Sequence, residues 1–140
     1  MMYLLDTNVV SELRKVNRNK ADLNVVTWSR RVPAESMFLS AVCVLEIEMG
    51  VLQTERRDPP QGALLRSWLE NHVLPAFAGR ILPVDTPIAR RGAALHVPNP
   101  CAYRDSLIAA TALVHSMTVV TRNVSHFEPT GVAILNPWQP

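Results

Sequence analysis

The chain has 140 residues, 48% of them hydrophobic and 19% charged, with a net charge of +2. That length suits one domain with a sizeable core. The composition excludes a disordered or collagen-like chain, and the small positive charge excludes a protein that binds nucleic acid by bulk charge alone. The two cysteines, Cys43 and Cys101, form no C-x-x-C pair and read as buried free thiols rather than a disulfide framework. With no apolar run near the roughly 18 residues of a membrane span and no leader-like N-terminus, the expected location is the cytoplasm, away from the membrane.

In chain order, residues 2–5 are an apolar run too short for a helix and read as a buried strand. Asp6, Thr7 and Asn8 follow as capping residues, and Val9, Val10 and Leu13 carry a short helix. A basic loop spans Arg14 to Lys20. A helix is predicted from about Asp22 to Arg31, with Leu23, Val25 and Val26 inward. Residues 37–39 are a second strand, and Ser40 caps a helix whose inward stripe is Val42, Leu45, Met49 and Leu52. After Pro59-Pro60 a further helix runs through Leu64, Leu65, Trp68, Leu69 and Val73. Residues 81–84 form a third strand, which Pro83 makes short or places at an edge. Thr86-Pro87 opens another helix, Tyr103 to Met117 is the next, residues 118–121 are a fourth strand, and 132–135 a fifth. Strands alternating with helices predict an α/β protein: a three-layer α/β/α sandwich around a central, mostly parallel, short-stranded sheet.

In such sheets, sites form beyond the carboxyl ends of the strands. Asp6 follows the first strand, Glu46 lies in the helix after the second, Asp105 opens the helix before the fourth, and Asn123 follows the fourth. Each has a simpler reading alone: Asp6 as a helix cap, Asp105 as a charge favouring a helix N-terminus, Glu46 as a solvated position. Glu48 points away from the apolar stripe and reads as the solvated glutamate. Together the three acids ask for a cation, since carboxylates about 5 Å apart repel by roughly 3 kcal/mol at an effective dielectric near 20. Oxygen-only ligands select a hard ion, Mg²⁺ or Mn²⁺. The four histidines lack zinc-ligand spacing. A phosphotransferase using two aspartates after its first strand is disfavoured, because Asn8 stands where the second would be.

The segments LLDTNVVSEL (4–13), LSAVCVLEIEMG (39–50), DSLIAATALVHSMTVVTRN (105–123) and ILNPW (134–138) resemble PIN domains, and more narrowly the VapC/FitB toxins of bacterial toxin–antitoxin pairs. The likeness runs over nearly the whole chain, 1–140, as a single PIN domain, and is weakest over 17–36 and 56–79. It implies a metal-dependent endoribonuclease that hydrolyses RNA phosphodiesters, with Asp6, Glu46 and Asp105 at the family's acidic metal positions. Asn123 stands at a fourth position that is often aspartate, and His126 where many relatives carry another acid. Thr7, Asn8 and Thr121 would position water or phosphate, and Arg14, Lys15, Arg104 and Arg122 would contact RNA. The resemblance further implies a small VapB-like antitoxin and a homodimer, with the helices over 42–52 and 64–73 supplying part of these interfaces. The alternative is a non-catalytic RNA- or protein-binding module on the same fold.

Overall fold

The computed structural model describes residues 1–140. Strand β1 (Tyr3–Leu5) leads into helix α1 (Thr7–Leu13), a 3₁₀ turn over Arg14–Arg18, and α2 (Leu23–Arg31). Strand β2 (Met37–Ser40) leads into α3 (Ala41–Arg57), which is followed by α4 (Pro59–Trp68), a π-helical turn at Leu69–Val73 and α5 (Leu74–Ala76). Then come β3 (Ile81–Leu82), α6 (Thr86–Ala94), α7 (Tyr103–His115), β4 (Thr118–Val120), α8 (Val124–Phe127) and β5 (Ile134–Leu135). No helix is long and apolar enough to cross a membrane.

Local chemistry explains the helix starts. Ser40 Oγ accepts from the Val42 N–H at 3.0 Å, and Asp22 accepts from the N–H groups of Asn24 and Val25. Asp58 and Asp85 cap α4 and α6, each followed by a proline in the first turn. A cap satisfies N–H groups that have no partner within the helix, and Pro has no N–H to waste there.

The five strands are all parallel, in the order β3-β2-β1-β4-β5. β1 is central, and β3, the strand ending before Pro83, is an edge strand of two residues. Neighbouring residues of one strand face opposite layers. Leu5 and Val120 pack with Val9, Trp28, Ile47, Val51 and Leu69 on one face. Leu4 and Val119 pack with Ile108, Ala109, Ala112 and Phe127 on the other.

Helix α3 departs from its predicted orientation. Its buried residues are Cys43, Ile47, Val51 and Thr54, while Leu45, Met49 and Leu52 are about half exposed. Glu48 is more exposed than Glu46, as expected, and also pairs with Arg66 at 2.6 Å. Leu23 is exposed, so α2 packs through Val25, Val26 and Trp28. Cys43 is buried as expected, but Cys101 is exposed. Helices α3 and α4 meet closely at Gly62, where an added Cβ would lie 2.4 Å from the Glu55 Cα. Only glycine permits that approach.

Candidate active site

The chain runs from β1 outward to β2 and β3, then crosses back to place β4 on the other side of β1. This reversal leaves a crevice at the carboxyl ends of β1 and β4, where ligands collect in open α/β sheets. Asp6 sits there, fully buried, with its N–H donating to the Val120 carbonyl at 2.9 Å. Its Oδ1 accepts from the Thr7 N–H at 2.8 Å, so the aspartate does cap α1. Its Oδ2 accepts from the Thr121 hydroxyl at 2.7 Å and from the Asn8 amide at 3.4 Å.

Two further acids join it from other elements. Glu46, on the second turn of α3, accepts from the Thr7 hydroxyl at 2.6 Å. Asp105 lies in the first turn of α7, next to the buried Ser106. Ser106 Oγ donates to the Tyr103 carbonyl and lies 2.9 Å from His96 Nε2, which clamps the loop before α7 onto its first turn.

Arg104 ties the three acids together. Its Nη1 donates to Asp105 at 2.8 Å, its Nε to Glu46 and its Nη2 to Asp6. Burial opposes the guanidinium charge, but hydrogen bonds to Glu46, Asp6 and Asp105 outweigh it and hold Arg104 firmly protonated. A cluster that draws one cation this closely has the charge and the oxygen donors for a hard divalent ion. Cys43 Sγ also lies within 4.8 Å of the Asp6 and Glu46 oxygens. Burial, reinforced by those two negative charges, raises its thiol to about 11. That thiol donates to the Leu5 carbonyl at 3.5 Å, and a hard ion prefers the oxygens of Asp6 and Glu46 to sulfur.

The other sequence-singled residues are placed less centrally. Thr7, Asn8 and Thr121 direct their side-chain hydrogen bonds to the carboxylates and to one another. The Asn123 side chain is exposed and makes no hydrogen bond to the acids, while its N–H donates to Thr121 Oγ1 at 2.9 Å. His126, by contrast, brings Nδ1 to 3.7 Å from Asp105. Among the basic residues, Lys15 pairs with Glu12 at 3.2 Å, Arg14 lies over the Trp68 ring and Arg122 over Trp138. Sequence reasoning missed Arg104 as the centre of the cluster and Cys43 as its neighbour. The adjacency of Arg104 to Asp105 was the available signal, but it reads equally well as a rim charge.

An open parallel sheet with three carboxylates gathered beside its central strand defines a class that the comparisons make specific. The family pattern described as PIN domain matches residues 3–129, and the chain belongs to that family. Over 99% of both chains it is 38% identical to a VapC ribonuclease of Sinorhizobium fredii, Y4jK. It is 40% identical to the toxin FitB of Neisseria gonorrhoeae, covering 98% of this chain and 99% of that one. The crystal structure of FitAcB from Neisseria gonorrhoeae superposes with a TM-score of 0.89 at 39% identity, covering 99% of this chain and 100% of that chain.

Proposed function

We propose that this protein, as one PIN domain, is a nuclease that hydrolyses RNA phosphodiester bonds and is the toxin of a toxin–antitoxin pair. The observation that carries the reading is that Asp6, Glu46 and Asp105, brought from three separate elements, all bond the one guanidinium of Arg104. Likeness to a VapC ribonuclease and to FitB over nearly the full length supports it.

Asp6, Glu46 and Asp105 would hold Mg²⁺ or Mn²⁺. When bound, such an ion supplies Lewis acidity at a phosphate oxygen and makes a water acidic enough to attack phosphorus. The protein's own groups do the rest. The Thr121 and Asn8 side chains and the Thr7 N–H fix Asp6, and the Thr7 hydroxyl fixes Glu46, so the carboxylates need little reorganisation when substrate arrives. Glu46 is the most solvent-accessible of the three, 26% exposed, so it is the acid that an incoming phosphate would meet first. The exposed amide of Asn123 adds a neutral acceptor at the rim. Arg122, whose N–H donates to Asn8 Oδ1, would offer positive charge to an RNA backbone beside the acids, with Arg14 and Lys15 beyond the far end of α1 as more distant contacts.

A small antitoxin is the expected partner, together with a homodimer. The exposed stripe of Leu45, Met49 and Leu52 on α3, with Leu64 on α4, is the apolar surface such assemblies would cover.

The test is cleavage of labelled single-stranded RNA by the partner-free protein with Mg²⁺, Mn²⁺ or a chelator. The expected result is metal-dependent cleavage that falls by at least about 100-fold in Asp6→Asn and in Asp105→Asn, as for loss of a group that stabilises transition-state charge. RNA that is bound but never cut would turn the protein into a binding module on this fold. Activity that survives both substitutions would place the site elsewhere.

A further inference from the structure

The three carboxylates carry six oxygens, and their partners divide them into an outer and an inner set. Asp6 Oδ2 faces Thr121 and Asn8, Glu46 Oε1 faces Thr7, and Asp105 Oδ2 faces His126. The inner oxygens, Asp6 Oδ1 (which also accepts from the Thr7 N–H), Glu46 Oε2 and Asp105 Oδ1, accept from Nη2, Nε and Nη1 of Arg104. One guanidinium thus uses all three of its nitrogens on acids from β1's end, α3 and α7. An ion held between the acids would draw on the same inner oxygens. Each of these oxygens already accepts from Arg104, so a metal ion drawing on them would compete with the guanidinium.

We propose that Arg104 is the internal counter-ion of the metal-free protein, closing the site until a divalent cation displaces it. This rests on the reading of Asp6, Glu46 and Asp105 as the metal site. Asp6 is fully buried, so with no cation beside the acids their mutual repulsion would fall on the core. Arg104 answers that repulsion in the metal-free state. It lies in the first turn of α7, 29% exposed, so its side chain can swing to solvent without unpacking a core residue. Once displaced it remains within a side-chain length of the crevice. A phosphodiester there offers the paired oxygens that a guanidinium fork prefers. Divalent ion and phosphate backbone therefore favour each other's binding, and the coupling is reciprocal.

Closing a site lowers apparent affinity by the fraction of molecules left open. With Arg104 seated in about nine of ten metal-free molecules, removing it tightens metal binding by about tenfold. The experiment is a Mn²⁺ titration of the full chain without RNA, followed by calorimetry and by the free-ion electron paramagnetic resonance signal. It compares wild type, Arg104→Gln, Arg104→Lys and Asp6→Asn. Arg104→Gln is expected to bind Mn²⁺ about tenfold more tightly than wild type, and Arg104→Lys, whose single ammonium cannot span three acids, to fall between them. In chelator Arg104→Gln melts below wild type, and saturating Mn²⁺ raises its melting temperature more than it raises that of wild type. If Arg104→Gln fails to fold, Arg104→Lys alone decides by the same comparison. Equal or weaker Mn²⁺ binding by the folded Arg104 variants overturns the counter-ion role while leaving the metal site intact. Absence of Mn²⁺ binding in wild type and variants alike, or unchanged binding by Asp6→Asn, defeats the metal-site reading itself.

Discussion

Two arginines of this protein each hold three carboxylates. Arg66 bridges Glu48 at 2.6 Å, Glu55 at 2.9 Å and Glu70 at 3.6 Å across the outer surface of α3 and the helix that follows. Arg104 bridges Asp6, Glu46 and Asp105 at the carboxyl end of the sheet. The lists of contacts look alike, but the surroundings do not. The Arg66 acids are 35% to 58% exposed, so water shares the work of solvating them. The Arg104 acids run from fully buried to 26% exposed, and water cannot. The Arg66 partners also come from a compact helical pair, where side chains of one surface meet readily. Asp6 and Arg104 are 98 residues apart and meet only because the strand order brings them together. Gathering like charges in a place that water does not relieve is what creates a demand for a cation, and therefore a site. Counting ion pairs would not distinguish the two clusters; their burial does.

The comparison is sharpened most by exchanging a charge for its neutral amide in each cluster. Glu46→Gln is expected to reduce metal-dependent RNA cleavage by at least about 100-fold, as loss of a transition-state charge partner does. Glu48→Gln, two residues along the same helix, should leave cleavage within about twofold, because surface substitutions away from special features have small effects. Equal losses in the two variants would mean that the Arg66 cluster takes part in the chemistry.

A smaller effect should appear at Cys43, the thiol beside the inner cluster. Burial raises it from 9.0 to about 11 in the folded protein. Folding therefore favours the protonated thiol, and its contribution is fully present below pH 9 and is lost as pH rises towards 11. The loss is about 2–3 kcal/mol, at about 1.4 kcal/mol per pH unit. Denaturant titrations at intervals from neutral pH upward should show the advantage of wild type over Cys43→Ala shrinking across that window. A constant advantage would mean that the thiol is not buried beside the acids.

The smallest change is expected from Arg66→Gln. Arg66 holds the Glu55 carboxyl below its ordinary range chiefly through a direct hydrogen bond, and both partners keep contact with solvent. Its melting temperature should shift by less than that of Arg104→Gln in chelator, and the difference from wild type should vanish near about 1 M salt, where the screening length is a few ångströms. A large, salt-resistant loss would break the contrast between the two arginines.

Helix α3 shows where legibility stopped. It carries Cys43, Ile47 and Val51 at one helical spacing and Leu45, Met49 and Leu52 at another, so two apolar stripes compete for the core. Periodicity reveals both and cannot rank them. The sheet settles the choice, since β2 delivers α3 with Cys43 pointing to Leu5 and leaves Leu45 outside. Glu48 is the more solvated of the two glutamates, as expected, but its pairing with Arg66 was not legible because that partner lies on another helix.

Legible along the chain were the alternation of short apolar strands with capped helices, the short edge strand before Pro83 and the four segments that resemble the PIN family. These signals are local: a cap acts over three residues, a strand run over four or five, a helical stripe over a few turns. The stripe of α3 that faces the core, the exposure of Cys101 and the meeting of Arg104 with all three acids were settled by the assembled fold. Those outcomes depend on groups far apart in the chain, brought together by an all-parallel sheet whose order reverses beside β1. No local pattern encodes a meeting across 98 residues, and burial, which turns that meeting into chemistry, belongs to the assembled layers.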